Sequence, residues 1–184
     1  MTSTGEIIVS FSNGQRLFRL FTYNLPALAL IWFLLRNEQT ARALARPSPR
    51  DLLICGFSLA ALIVIASLLS ALSSLLTPQS ITLEPPDHAV GWLVLCLSCL
   101  GTGYLEESWF RLYLPLKLRN AGMVSGTASA LSTLLFALCH RYEGFWGVLN
   151  AALAGAVLSF LLWKKRSFHG IALAHALYNT LGYL

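Results

Sequence analysis

A chain of 184 residues that is 56% hydrophobic and only 11% charged, with a mean hydropathy of +0.65, is too apolar for an ordinary soluble domain, in which about a quarter of the residues are charged. The formal net charge of +5 would by itself suit a nucleic-acid binder, but the basic residues gather in particular loops, which excludes that class. What remains is a single compact, all-α, polytopic membrane domain.

The polar stretch Met1–Gln15 carries Glu6 and has no basic region leading into an apolar one, so it reads as a polar tail, over residues 1–19, and not as a cleavable signal peptide. Six uncharged runs follow: Leu20–Leu35, Leu52–Leu76, Ala89–Leu105, Ala121–Cys139, Phe145–Trp163 and Ser167–Leu184. Each is near the roughly 17–25 residues of a spanning helix, although the first is short and contains Asn24 and Pro26. None alternates like a strand, and in lipid only helices or closed barrels satisfy the backbone. The pattern predicts about six transmembrane helices in one bundle. The proline-rich joints Arg46–Asp51 and Leu83–His88 are loops between helices, and no internal repeat or long linker divides the chain.

The loop charges set an orientation. Four Lys or Arg residues lie in Arg36–Arg50, three in Arg111–Arg119 and three in Lys164–Arg166, against none in Thr77–His88 and one at Arg141. Ten of thirteen thus fall on one side of a six-helix arrangement. The positive-inside rule makes that side cytoplasmic and puts both termini on the other. Trp92, Trp146 and Trp163, near run ends, read as interfacial anchors. Cys55, Cys96, Cys99 and Cys139 all lie in apolar runs, where a thiol serves as a small hydrophobe.

Charge in hydrocarbon is expensive and tends to mark function. Glu106, Glu107 and Arg111 interrupt the apolar stretch Gly91–Leu118. On a helix Glu107 and Arg111 are i, i+4 neighbours and can pair, whereas Glu106 lies about 100° round the axis and is left for chemistry or for another helix. Phe136 and His140 share a face at the end of the fourth run, and His175 and Asn179 do so in the last. With a turn at Asn120, Glu106 lies ~21 Å and His140 ~30 Å above the cytoplasmic side; rising from Arg166, His175 and Asn179 lie ~14 Å and ~20 Å up. With side-chain reach and tilt, all four can meet in one layer.

Glu106-Glu107-x-x-x-Arg111, Phe136-x-x-x-His140 and His175-x-x-x-Asn179, in that order on hydrophobic helices, resemble the signature of the CAAX protease and bacteriocin-processing family, also called the Abi family, of glutamic intramembrane proteases. The resemblance covers about Gly91–Leu184, which makes residues 91–184 the expected catalytic core. It implies that Glu106, assisted by His140, activates water as a general base, and that His175 and Asn179 donate to the developing oxyanion. Glu107 and Arg111 support the base, and Phe136 packs and orients. No cofactor is implied. The expected substrate is a membrane-anchored or lipidated polypeptide, cut in an extended segment near its anchor, with the bilayer as partner and no nucleic acid. The setting is a bacterial or archaeal cell membrane.

Three other classes fit parts of the pattern. Glu106, His140 and His175 would make a His₂Glu zinc set with water in the fourth position, although no His-Glu-x-x-His helix is present. A scaffold or bacteriocin-immunity protein would keep the polar cluster for packing alone. A transporter would use the carboxylates as proton relays, but the chain lacks repeats and paired broken helices.

Overall fold

The computed structural model describes residues 6–44, 46–76 and 80–184, so the first residues of the polar tail and of the Thr77–His88 loop, Gln79 included, lie outside the described residues. In chain order the elements are β1 (Glu6–Val9), α1 (Asn13–Leu35), α2 (Gln39–Leu44), α3 (Arg50–Leu76), β2 (Ser80–Leu83), α4 (Ala89–Asn120), α5 (Ser125–Cys139), α6 (Gly144–Lys165) and α7 (Phe168–Leu181). Apart from the short parallel pairing of β1 with β2, from Glu6 opposite Ser80 to Val9 opposite Leu83, the described chain is helical. The expected all-α bundle is present. Each uncharged run lies largely within one helix, and α2 is a short addition in the basic loop.

Four helical stretches, Asn13–Leu35, Arg50–Leu76, Ala89–Asn120 and Arg141–Lys165, are long and apolar enough to cross a membrane. α5 and α7 are shorter, 15 and 14 residues. At 1.5 Å per residue α7 is only ~21 Å long, less than a hydrocarbon core. It lies between α3 and α4 and buries Phe168, Ile171, Ala172, Ala174, His175 and Ala176. The outward faces carry the large apolar side chains, among them Phe18, Phe33, Leu53, Phe57, Leu68, Leu93 and Phe160. Such a surface suits lipid and not water.

Two helices extend beyond their uncharged runs for identifiable reasons. α1 starts at Asn13 because Ser12 and Gln15 form a capping box, with reciprocal bonds of 2.8 and 3.2 Å. Arg16 is consequently buried, its guanidinium 5.3 Å from the Tyr183 ring beyond the C-terminal end of α7, where the helix dipole favours a cation. α4 continues through Glu106, Glu107 and Arg111 to Asn120, because the charges are neutralised in place. At the opposite end of the bundle, Asp51 accepts from the Ser48 N–H at 2.7 Å and from the Ser167 hydroxyl, tying the starts of α3 and α7 together.

α1 and α4 each contain one π-turn, Leu20–Asn24 and Ser108–Tyr113. Both precede a Leu-Pro step, Leu25-Pro26 and Leu114-Pro115. A proline ring inside a helix collides with the carbonyl four residues back and offers no N–H. Widening the turn relieves the collision: the Leu25 N–H donates to the Leu20 carbonyl, and the Leu114 N–H to the Trp109 carbonyl. The wider turn also cancels the rotation that successive i, i+4 steps accumulate on an α-helix. Gly103, Glu107 and Arg111 are accordingly all buried on α4, as are Arg16, Leu20 and Asn24 on α1.

The main hydrophobic core fills the half of the bundle nearer the basic loops. Ile31 and Leu35 of α1, Leu62 of α3, Leu105 and Leu112 of α4, Leu158 and Leu162 of α6 and Phe168 and Ile171 of α7 meet there. A smaller cluster of Phe136, Ala137 and Ala151 joins α5 to α6. The polar cluster lies where these two regions meet.

Candidate active site

The site begins with a close approach of two backbones. A Cβ placed on Gly103 of α4 would lie 2.9 Å from the Ala176 nitrogen and 3.1 Å from the Ala172 carbonyl oxygen of α7, so only glycine fits there. This contact brings the next turn of α4 within side-chain reach of α7. Glu107, one turn after Gly103, places Oε1 2.8 Å from His175 Nδ1. A carboxylate can only accept, so the Nδ1 carries a hydrogen and the orientation of the ring is fixed.

On its other side Glu107 meets Arg111, with Oε2 3.2 Å from Nε in a fully enclosed i, i+4 pair. Neither atom gains a well-directed hydrogen bond from the contact, which is therefore Coulombic. The remaining guanidinium nitrogens find no hydrogen-bond partner among the described residues. Instead Cζ lies 4.4 Å from the centre of the Phe136 ring, a cation–π contact that offsets part of the desolvation cost. Gly155 of α6 leaves the space this requires, since a Cβ there would lie 3.1 Å from Phe136 and 3.2 Å from Arg111 Nη2.

Glu106 differs from its neighbour. Its side chain is 22% exposed where that of Glu107 is 0%. Its Oε2 lies 3.6 Å from His175 Nε2, too far for a hydrogen bond and within ion-pair distance when the imidazole carries both hydrogens. The imidazole therefore stands between two carboxylates, bound to one and facing the other.

Phe136 connects the remaining helix. Its ring centre is 5.2 Å from that of Phe110, 4.6 Å from that of His140 and 5.9 Å from that of His175. His140 is half-buried at the C-terminal end of α5 and turns Nδ1 onto the Phe136 carbonyl at 2.9 Å, which leaves Nε2 for other work. The Tyr142 ring is stacked beside it at 6.2 Å. Asn179 lies one turn beyond His175 on α7, half-buried, with no side-chain hydrogen bond among the described residues.

Of the residues singled out in the sequence, Glu106, Glu107, Arg111, Phe136, His140 and His175 form one connected set of contacts. Asn179 adjoins the set through its own helix. The ~7 Å difference in depth expected between Glu106 and His175 closes because α7 starts level with Asp51 at the base of α3, while α4 continues beyond the core to Asn120. His140, Glu106 and His175 do not converge as metal ligands, and among the described residues no three His, Cys, Asp or Glu side chains are placed to hold an ion.

Three supporting residues were not singled out. Ser132 of α5 is fully buried and donates its hydroxyl to the Phe110 carbonyl at 2.6 Å. Gly103 sets the α4–α7 spacing, and the Gly103-x-x-x-Glu107-x-x-x-Arg111 spacing was its available signal. Pro115, four residues after Arg111, was the available signal for the π-turn.

A family model described as Rce1-like, type II CAAX prenyl endopeptidase, matches residues 88–181. The matched segment contains all seven residues above. Neither a curated protein nor a solved structure matches the chain.

Proposed function

Since the chain belongs to the Rce1-like type II CAAX prenyl endopeptidase family, an integral membrane peptidase family, we propose that it hydrolyses a peptide bond near the membrane-embedded or lipidated end of a polypeptide, using Glu106 to activate water. The observation that carries this reading is the unequal environment of the two carboxylates. Glu107 is sealed between Arg111 and His175, whereas Glu106 keeps an open side beside the His175 imidazole.

In the proposed reaction the Glu106 carboxylate takes a proton from water, with His140 Nε2 holding that water by a second hydrogen bond. The water oxygen attacks the carbonyl carbon, and the carbonyl π-electrons move onto oxygen. The oxyanion accepts from the Nε2–H of His175, taken as the doubly protonated imidazolium whose Nδ1–H is held by Glu107, and from the Asn179 amide, where fixed donors away from water are worth several kcal/mol. Collapse of the tetrahedral adduct expels the amine, which takes its proton from Glu106. No metal enters any step. Glu107 holds the His175 imidazolium through Nδ1–H and so leaves Nε2–H to donate, Arg111 balances the charge of Glu107, and Phe136 packs between the histidines and the guanidinium.

Helical peptide bonds must unwind before attack, so the substrate offers an extended segment beside its anchor. The experiment uses two internally quenched peptides with the purified protein, one carrying a farnesylated cysteine near its C terminus and one following a single transmembrane anchor. Cleavage of either, abolished by Glu106→Gln and unaffected by chelators, supports the reading. Activity that survives Glu106→Gln or disappears with chelation contradicts it.

A further inference from the structure

The helix that carries both carboxylates is interrupted immediately after them. In the π-turn Ser108–Tyr113, the Leu114 N–H donates five residues back to Trp109 and so bypasses the Phe110 carbonyl. The next donor in that register would be residue 115, which is a proline and has none. Phe110 is therefore left with a carbonyl that its own helix cannot satisfy, half-buried and three residues from Glu107. An acceptor shielded from water costs up to about 1–3 kcal/mol unless it finds a donor.

The donor comes from another helix. Ser132 of α5, 0% exposed, places its hydroxyl 2.6 Å from that carbonyl. Ser132 is also one turn before Phe136, the residue that covers the Arg111 guanidinium. The bond thus joins the irregular turn of α4 to the helix that holds Phe136 and His140. The turn in question sets the angle between Glu107 and Arg111, and Glu107 in turn holds His175. We propose that Ser132 is a positioning residue for the active site: by satisfying the carbonyl orphaned at Phe110, it stabilises the π-turn that aligns Arg111 under Glu107 and thereby fixes His175 beside Glu106. The proposal rests on the peptidase reading above for its effect on turnover, though not for its effect on the turn.

Thr133 supplies a matched control. It is the next residue on α5, and its hydroxyl also crosses to a neighbouring helix, but to α6, 3.2 Å from Ser159 Oγ. Turnover and KM are measured on whichever quenched peptide the wild-type protein cleaves, for Ser132→Ala and Thr133→Val. Hydrogen exchange of the 108–116 backbone is followed in the same two proteins. Ser132→Ala is expected to lower kcat roughly tenfold at unchanged KM, the size of one lost hydrogen bond, and to speed exchange in 108–116. Thr133→Val is expected to leave both near wild type. Equal losses in the two variants, a change confined to KM, or unchanged exchange in Ser132→Ala would overturn the proposal. If Ser132→Ala does not accumulate in the membrane, Ser132→Cys, similar in size and a weaker donor, is expected to show a smaller loss in the same direction, and full turnover at normal exchange in that variant counts against it. A wild-type protein that cleaves neither peptide would refute the peptidase reading, while the exchange comparison would still decide whether Ser132 holds the turn.

Discussion

Glu107 holds His175 by a 2.8 Å bond to Nδ1, and it does so from a position with no exposure to solvent or lipid. Removing the charge leaves Arg111 enclosed without a counter-ion, and breaking a buried pair in this way costs about 3–5 kcal/mol. Glu107→Gln is therefore expected to destabilise the protein by that amount and to lower turnover. Arg111→Leu, which strands Glu107 instead, is expected to behave alike. Thermal unfolding in detergent measures the first effect and peptide cleavage the second.

Asn179→Ala tests the oxyanion assignment. A donor that acts mainly in the transition state lowers turnover and leaves substrate binding nearly unchanged. The expected loss is roughly 10²–10³-fold in kcat. A loss confined to KM, or none, would remove Asn179 from this role.

Gly103→Ala tests the helix contact beneath the site. The new methyl would meet backbone atoms of α7 at 2.9 and 3.1 Å, and backbone cannot swing aside as a side chain can. α7 must move away from α4, which stretches the bond between His175 and Glu107. The expected outcome is a loss of about 1–3 kcal/mol in stability together with a fall in kcat. Unchanged unfolding and turnover would show that α7 is not held at that spacing.

The residues of the candidate site that the structure brings together were largely legible in the sequence, because ionisable groups in apolar helices stand out against their surroundings. Glu106, Glu107, Arg111, His140 and His175 all lie in one set of contacts. The pairing of Glu107 with Arg111 was legible as well, since the two are i, i+4 neighbours on one helix. What could not be read was the local geometry that makes the set converge. The start of α7 deep in the bundle depends on a bond between Ser167 and Asp51, residues 116 apart in sequence. The alignment of Gly103, Glu107 and Arg111 depends on a π-turn that follows from Pro115 and is completed by Ser132, and helical periodicity alone does not anticipate either. The capping box that extends α1 back to Asn13 lies in the polar tail, where an uncharged-run criterion has nothing to detect.

The side from which substrate enters follows from the loop charges and is testable separately. The pairing of β1 with β2 puts the start of the described chain and the loop before α4 at the same end of the bundle, opposite the basic loops. If those loops are cytoplasmic, His140 and the open side of Glu106 are nearer the non-cytoplasmic face, which suits trimming of an exported, anchored protein. Cysteine-accessibility labelling at the exposed positions Asp87 and Lys165, in a cysteine-free background, decides the matter. Labelling of Asp87→Cys from outside intact cells with Lys165→Cys protected is the expected result, and the reverse pattern would assign the site to a cytoplasmic substrate.

The central claim is that Glu106, and not its buried neighbour, performs the chemistry. The most direct measurement is single-turnover cleavage by Glu106→Gln, with thermal unfolding of the same sample. Because the Glu106 side chain is partly exposed and its nearest charged partner is 3.6 Å away, its replacement is expected to leave unfolding close to wild type while abolishing cleavage. Near-normal turnover in a folded Glu106→Gln protein would contradict the account.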